Sequence, residues 1–126
     1  MVLIFGGAYQ GKLEYAMKEF NIGEEQVFTC TSDNLLAEVG PEFAIVDKIE
    51  NWAWELTKAG KRPVEEIDLE ALKDKIIIAR DNSQGIVPLD EDERQFREDM
   101  GRLLMAVSKN SDKVIRVFCG LGEVIK

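Results

Sequence analysis

Short, continuously apolar segments alternate with amphipathic segments along this chain of 126 residues. Apolar runs of this kind are typical of strands buried on both faces, and such strands occur in parallel sheets that helices cover. The sequence therefore predicts an α/β fold of three layers, with helices on both faces of a mostly parallel sheet. The expected strands are Val2–Phe5, Gln26–Cys30, Phe43–Asp47, Lys75–Ala79 and Val114–Cys119, with a last short extended piece at Val124–Ile125.

Helices are expected between these strands, because their apolar residues recur at the i, i+3, i+4 spacing of one buried stripe. They follow Lys12, begin at Ile49, cover Val64–Lys73 and open at Asp90 or Glu91, and a helical turn is expected over Ser32–Glu38 with Ser32 or Asp33 as its N-cap. A chain of this length is expected to form one domain with a sizeable core.

The turn between the first strand and the first helix has the spacing Gly6-x-x-x-x-Gly11-Lys12. A glycine-rich turn at this place points backbone N–H groups at one spot, where the start of the helix adds positive potential. The sequence therefore predicts a phosphate-binding loop, with a plain connection and a solvated lysine as the alternative. The loop comprises Gly6, Gly7, Ala8, Tyr9, Gln10, Gly11, Lys12 and Leu13.

Leu13 occupies the position at which a Ser or Thr hydroxyl normally helps to hold Mg²⁺. This residue has a second interpretation, because it also starts the apolar stripe of the first helix. The loop sequence therefore predicts phosphate binding. The missing hydroxyl at Leu13 leaves open whether the site is catalytically competent.

Two carboxylates come directly after predicted strands, at the edge where parallel sheets bind ligands. Asp47 would hold Mg²⁺ or its water, or it would cap the helix that begins at Ile49. The phosphate loop on a neighbouring strand favours the metal role. Asp81 is either a second acid near the phosphates or an ordinary loop residue.

Four further side chains have two interpretations each. Arg97 and Arg102 on the long helix would contact a phosphate or substrate, or they are solvated surface arginines. Trp52 is expected in the core stripe of its helix, whereas Trp54 points to the opposite side and is free to face a partner subunit or a ligand.

Composition limits the class of partner and the chemistry. The chain has 24 acidic and 16 basic residues and a net charge of −8, which disfavours nucleic acid and anionic membranes as partners. No segment has the length of a membrane span or the pattern of a secretion signal. Cys30 and Cys119 are expected as buried thiols, which fits a reducing cytoplasm. The chain has no histidine, so the commonest general base is missing.

Several motifs together point to one family. The second half reads IIIARDNSQGIVP, then FREDMGRLL, then VIRVFCGLGEVIK, and the chain starts with a strand and GGAYQGKL. These motifs resemble the bifunctional adenosylcobinamide kinase/adenosylcobinamide-phosphate guanylyltransferases of cobalamin biosynthesis. In that family the counterparts are an Asn-Glu loop, Gly-Ile-Val-Pro, a Phe-Arg-Asp…Gly-Arg-Leu helix and a last strand ending in Ala-Gly. FAIVDKIENWAWEL is similar to the family's Val-Asp-Cys-Leu-Thr-Leu-Trp-Leu segment, so the resemblance covers most of the chain.

The resemblance implies a P-loop NTPase-like fold, binding of ATP or GTP with Mg²⁺, and a corrinoid acceptor whose hydroxyl is phosphorylated. It also implies a homo-oligomer. The residues at matching positions would be catalytic at Lys12, Asp47 and Asp81, with Asp47 as metal ligand, and would contact substrate at Gly85, Arg97 and Arg102.

This chain also departs from the family pattern, and these differences bear on its function. Its guanylyl transfer passes through a histidine on a helix between the second and third strands, and this chain has no histidine. Only Thr31–Glu42 spans that interval, where the family has several dozen residues. Two hypotheses follow: a shortened kinase-like enzyme, or a catalytically degenerate module that senses a nucleotide or corrinoid or assists assembly.

Overall fold

The computed structural model describes residues 1–32, 36, 39–81 and 90–126. Its centre is a six-stranded sheet in the spatial order β2-β3-β4-β1-β5-β6. The strands are β1 (Val2–Gly6), β2 (Val27–Thr29), β3 (Ile45–Asp47), β4 (Ile76–Arg80), β5 (Lys113–Phe118) and β6 (Leu121–Val124).

Strand β1 lies at the middle of the sheet. Leu3 pairs in parallel with Ile77 of β4 on one side and with Val114 of β5 on the other. Strands β2, β3 and β4 continue the parallel pairing, and only β6 runs antiparallel, against β5. The predicted α/β class with a mostly parallel sheet is therefore confirmed.

Helices cover both faces of this sheet, as expected. The helices are α1 (Lys12–Glu19), α2 (Ile49–Lys58), α3 (Pro63–Glu66) and α4 (Glu91–Lys109). Ala16 of α1 packs in a cluster with Ile4 and Ile115, whereas α2 and α4 pack in a second cluster that contains Leu3 and Ile77. Neighbouring residues of a strand thus face opposite layers. Within the described ranges, no helix has both the length and the apolar character needed to cross a bilayer.

The helix expected over Val64–Lys73 is only four residues long, so that prediction is wrong. The backbone becomes extended at Ile67, with φ −72° and ψ 134°. Asp68 then accepts the backbone N–H of Ala71 at 3.1 Å, and such a local side-chain bond competes with helix formation. Leu72 still reaches the core, where it is 3% exposed.

The chain end forms a hairpin where the sequence predicts only an extended piece. Strand β6 begins at Leu121, earlier than expected, and the turn before it has φ 51° at Cys119 and φ 77° at Gly120. Positive φ at both positions suits a two-residue hairpin turn. Both cysteines are free, and Cys30 is buried as expected. The expectation of a buried Cys119 is wrong, because the turn exposes it.

The two tryptophans of α2 both contribute to packing. Trp52 packs against the core cluster, as expected. Trp54 is half-buried and contacts Phe96 of α4 edge to face, with ring centroids 5.1 Å apart, and Lys58 Nζ lies 5.5 Å from its centroid. The expectation that Trp54 is free to face a partner is therefore wrong, since its ring belongs to the contact between α2 and α4.

A buried carboxylate joins the helices of this layer. Asp99 of α4 is 2% exposed and accepts hydrogen bonds from Thr57 Oγ1 at 2.7 Å, Arg62 Nη1 at 3.2 Å and Gln95 Nε2 at 2.9 Å. A buried carboxylate is tolerated when it is paired and hydrogen-bonded in this way. Asp99 thus connects α4 to the end of α2 and to the segment before α3.

We expect Asp99→Ala to lower the free energy of unfolding by about 3 kcal/mol, because it leaves the buried Thr57 hydroxyl and the Arg62 guanidinium without their acceptor. Urea denaturation measures this change. Glu98→Ala is the matched control, since Glu98 pairs with Arg102 in an exposed ion pair on the same helix. The control is expected to cost less than about 1 kcal/mol. Equal effects of the two substitutions would contradict a structural role for Asp99.

Candidate functional site

The glycine-rich loop leaves the carboxyl end of β1 in a tightly confined path. A Cβ on Gly6 would collide with the backbone carbonyl oxygen of Val117 in β5, so no side chain fits there. Tyr9 and Gly11 have positive φ values of 58° and 81°, and helix α1 begins directly afterwards at Lys12. The predicted strand, turn and helix are therefore present; phosphate binding by the turn stays a prediction.

Gln10, one of the predicted loop residues, connects the loop to the hairpin turn at Cys119 and Gly120. The side-chain oxygen of Gln10 accepts the backbone N–H of Cys119 at 2.7 Å. The backbone carbonyl of Gln10 accepts the N–H of Gly120 at 2.8 Å. The hairpin turn between β5 and β6 thus supports the loop from outside. No local pattern signals this pairing, because the partners are 109 positions apart.

Lys12 lies folded over the loop that precedes it. Its Nζ donates a hydrogen bond to the backbone carbonyl of Gly7 at 2.7 Å. Partial burial lowers the pKa of Lys12, while the nearby carboxylates of Glu50 and Asp47 act in the opposite direction. The ammonium therefore lies at the loop, in a place where a further negative charge would be stabilising.

Asp47 ends β3 at the same edge of the sheet and is 6% exposed. Burial raises the pKa of this carboxyl group and Glu50 raises it further, whereas Lys48 and Lys12 act to lower it. Lys48, with φ 58°, occupies the N-cap position of α2, and no side chain caps that helix end. The interpretation of Asp47 as the N-cap of α2 is therefore wrong; its carboxylate accepts the backbone N–H of Lys48 instead.

Glu50 is a site residue that sequence reasoning missed. It lies in the first turn of α2, and its Oε1 accepts the backbone N–H of Arg80 at 3.0 Å. The negative charge of Glu50 acts on Lys12, Asp47 and Cys30. Burial, together with the carboxylates of Glu50 and Asp47, raises the pKa of the Cys30 thiol to about 12. The sequence signal for Glu50 was its spacing of three residues from Asp47, across the junction of β3 and α2. This spacing keeps both carboxylates near the same edge of the sheet.

Other predicted site residues are placed less closely. The backbone N–H of Asp81 donates to the carbonyl of Gly6 at 2.8 Å, so this residue lies beside the start of the loop. Arg102 is exposed and pairs with Glu98 at 2.6 Å. Arg97 is half-buried on α4. Gly85 and its Gly-Ile-Val-Pro motif lie outside the described residues, as does Asp33.

A large groove brings Asp81 and Arg102 to one surface. Its volume is about 1030 Å³, and its walls include Phe5 of β1 and Leu104 and Met105 of α4. The groove lies on the face of the sheet that α4 covers, whereas α1 covers the other face. Its lining is mainly apolar and includes a few polar side chains, which is typical of small-molecule sites.

A magnesium ion would have few protein ligands at this edge. In the part of the chain that the structure describes, no group of three or more histidine, cysteine or acidic side chains could enclose a metal ion. Mg²⁺ is commonly held by one or two carboxylates, substrate phosphates and several waters. Asp47 and Glu50 fit that pattern, because each adds negative charge that a cation would neutralise.

No protein-family model matches this chain, and no curated protein matches it either. At the carboxyl edge of the sheet, the structure brings together the glycine-rich loop, Lys12 and the two neighbouring acids Asp47 and Glu50.

We expect Gly6→Ala to lower the free energy of unfolding by about 2 kcal/mol, because the added methyl collides with the Val117 carbonyl of the adjacent strand. Chemical denaturation of the purified variant measures the loss. Gly101→Ala serves as control: nothing lies within 4 Å of its added Cβ. That exposed helical position is expected to gain about 0.5–1 kcal/mol. A neutral Gly6→Ala would contradict the close approach of β1 and β5.

Asp47→Asn is expected to make the protein more stable at pH 7. The raised pKa of Asp47 means that the fold favours the protonated acid, so stability falls as pH rises above the ordinary carboxyl value of 3.8. Asparagine cannot ionise and avoids this loss. Urea midpoints measured from pH 3 to pH 8 should show the gain at neutral pH and its disappearance below about pH 4.

Asp74→Asn is the matched control for that series, because Asp74 is exposed and no described contact buries it. Its urea midpoints should show no gain that grows with pH. A less stable Asp47→Asn protein at pH 7 would mean that the ionised carboxylate stabilises the fold, and would contradict the expected direction.

Proposed function

We propose that this protein binds ATP or GTP at a P-loop formed by Gly6–Leu13 and is an adenosylcobinamide kinase-like phosphotransferase, acting in the cytoplasm. The observation that carries the proposal is the grouping of Lys12, Asp47 and Glu50 where the glycine-rich loop leaves the sheet. The resemblance of the loop, of FREDMGRLL and of the last strand to that kinase family supports the choice of acceptor.

Each residue of the cluster has a distinct task in this proposal. The loop's backbone N–H groups and Lys12 hold the β- and γ-phosphates, and Lys12 exchanges its bond to the Gly7 carbonyl for phosphate oxygens. Asp47, with Glu50 beside it, holds Mg²⁺ directly or through water. When bound, the ion neutralises charge that develops on the phosphates during transfer.

The transfer itself needs no histidine. A substrate hydroxyl attacks the γ-phosphorus, a new O–P bond forms, and the bond to the β–γ bridging oxygen breaks to release the nucleoside diphosphate. The hydroxyl proton passes to a carboxylate at this edge, for which Asp81 is the candidate. Phosphoryl transfer depends mainly on positioning and charge neutralisation, so these few groups suffice.

The acceptor would lie in the apolar groove that borders Asp81 and Arg102. Its volume of about 1030 Å³ suits a large acceptor, and a corrinoid is one. The family resemblance adds Arg97 and Gly85 as proposed substrate contacts. Guanylyl transfer through a covalent histidine is chemically closed to this chain, since it contains none.

One observation favours a second candidate function, a catalytically degenerate module that senses a nucleotide or corrinoid or assists assembly. Leu13 replaces the hydroxyl that would assist Mg²⁺, and it packs against the apolar cluster under α1. A side chain committed to packing gives the metal no ligand. Such a module would keep the loop and lose the reaction.

We also propose a homo-oligomer. Several large apolar side chains are exposed along the β5–β6 hairpin, outside the acceptor groove, and exposed apolar patches mark interaction surfaces. These side chains are Phe118, Leu121 and Val124.

Lys12→Ala is expected to weaken nucleotide binding by about 10- to 100-fold, because it removes a charged donor to the phosphates. Titration of ATP and GTP, with and without Mg²⁺, measures this loss by calorimetry. Lys73→Ala is the control, since Lys73 is exposed and pairs only with Glu70 among the described contacts. It should bind as the wild type does.

A second assay separates the two candidate functions. Phosphorylation of adenosylcobinamide by the wild type, abolished by Lys12→Ala, supports the kinase. Binding without turnover of that substrate supports the degenerate module. A wild type that binds neither ATP nor GTP contradicts both.

A further inference from the structure

A second, shallower cavity lies beside the glycine-rich loop, on the face of the sheet that α1 covers. Its volume is about 660 Å³, and two loop residues, Tyr9 and Gly11, line it. Tyr15 of α1 forms another wall, and the charged side chains of Glu14, Lys18 and Glu19 surround it. It is therefore continuous with the loop and separate from the acceptor groove on the other face.

Tyr9 lines this cavity and has two unusual features. The side chain is fully exposed, and the backbone has φ 58°, a conformation that non-glycine residues rarely adopt. Non-glycine residues held in this region cost free energy and cluster at ligand sites. An aromatic ring left in water at the tip of a ligand loop gains contact area only when something stacks on it.

Tyr15, which also lines the cavity, has a fixed position. Its ring and hydroxyl occupy the space next to Gly122 of β6, where a Cβ would collide with them. The rest of the side chain packs against the apolar cluster under α1. The cavity thus has one aromatic wall held by packing and one that is solvated at the loop.

We infer that this cavity binds the purine base of the nucleotide, an inference that rests on the proposed phosphate-loop function. The base is joined to the phosphates through a ribose, so its site must adjoin the loop, and Tyr9 and Gly11 satisfy this. Aromatic rings stack on nucleobases, and a purine offers the larger face. Glu14 and Glu19 can accept hydrogen bonds from base N–H groups, and Lys18 can donate to ring nitrogen or carbonyl acceptors.

The test compares nucleotides with a ligand that has phosphates and no base. GTP, ATP, UTP and inorganic tripolyphosphate are titrated with Mg²⁺ into the wild type, Tyr9→Ala and Tyr9→Phe. The wild type should bind GTP and ATP more tightly than UTP or tripolyphosphate. Tyr9→Ala should lower the ratio of purine nucleotide affinity to tripolyphosphate affinity about tenfold. Tyr9→Phe keeps the ring and should keep the wild-type ratio.

The outcomes separate this inference from the function on which it rests. Unchanged ratios in Tyr9→Ala, with tripolyphosphate bound by the wild type, overturn the base cavity and leave the phosphate loop in place. Failure of the wild type to bind tripolyphosphate and every nucleotide overturns both. Thermal melting of each variant checks that the fold is kept, which is expected because the Tyr9 ring is in solvent.

Discussion

The parallel pairing of β1 with both β4 and β5 is the interaction on which the rest of the structure depends. Leu3 and Ile4 are at most 1% exposed and enter the clusters on opposite faces of the sheet. Burial on both faces requires an apolar strand and fixes its register against its neighbours. Because β1 is fixed in this way, the loop that leaves it at Gly6 emerges at one defined point, against the Val117 carbonyl.

The proposed function depends on the place at which this loop leaves the sheet. The parallel strands end at one edge, so β3 brings Asp47 and β4 brings Asp81 to the side on which the loop emerges. Burial at this edge disfavours the charged forms of both Lys12 and Asp47. Keeping these groups charged therefore lowers the stability of the fold. Groups kept under such a cost are typical of functional sites, where stability is given up for binding or catalysis.

Much of the fold could be predicted because its signals are local. Apolar runs indicated the five parallel strands, and the stripe of Met100, Leu103 and Val107 indicated the long helix. Prediction failed where a longer-range contact or a small local bond decided the outcome. The backbone becomes extended at Ile67 and Asp68 bonds locally to Ala71 where a helix was expected, and the β5–β6 turn exposes Cys119. For the site, Lys12, Asp47 and Gln10 were predicted, whereas Glu50 was missed. The bond between Gln10 and Cys119 was not predicted either, because the two residues are 109 positions apart.

The sequence by itself determined the layered α/β class, the position of the glycine-rich turn and the absence of histidine chemistry, since residue type and spacing suffice for these. Only the tertiary structure decided that Gln10 is bound to the final hairpin, that Trp54 packs on Phe96, and that two cavities lie on opposite faces of the sheet. The physical reason is that a strand or turn follows from neighbouring residues, whereas a contact between distant residues exists only once the whole sheet has fixed their positions.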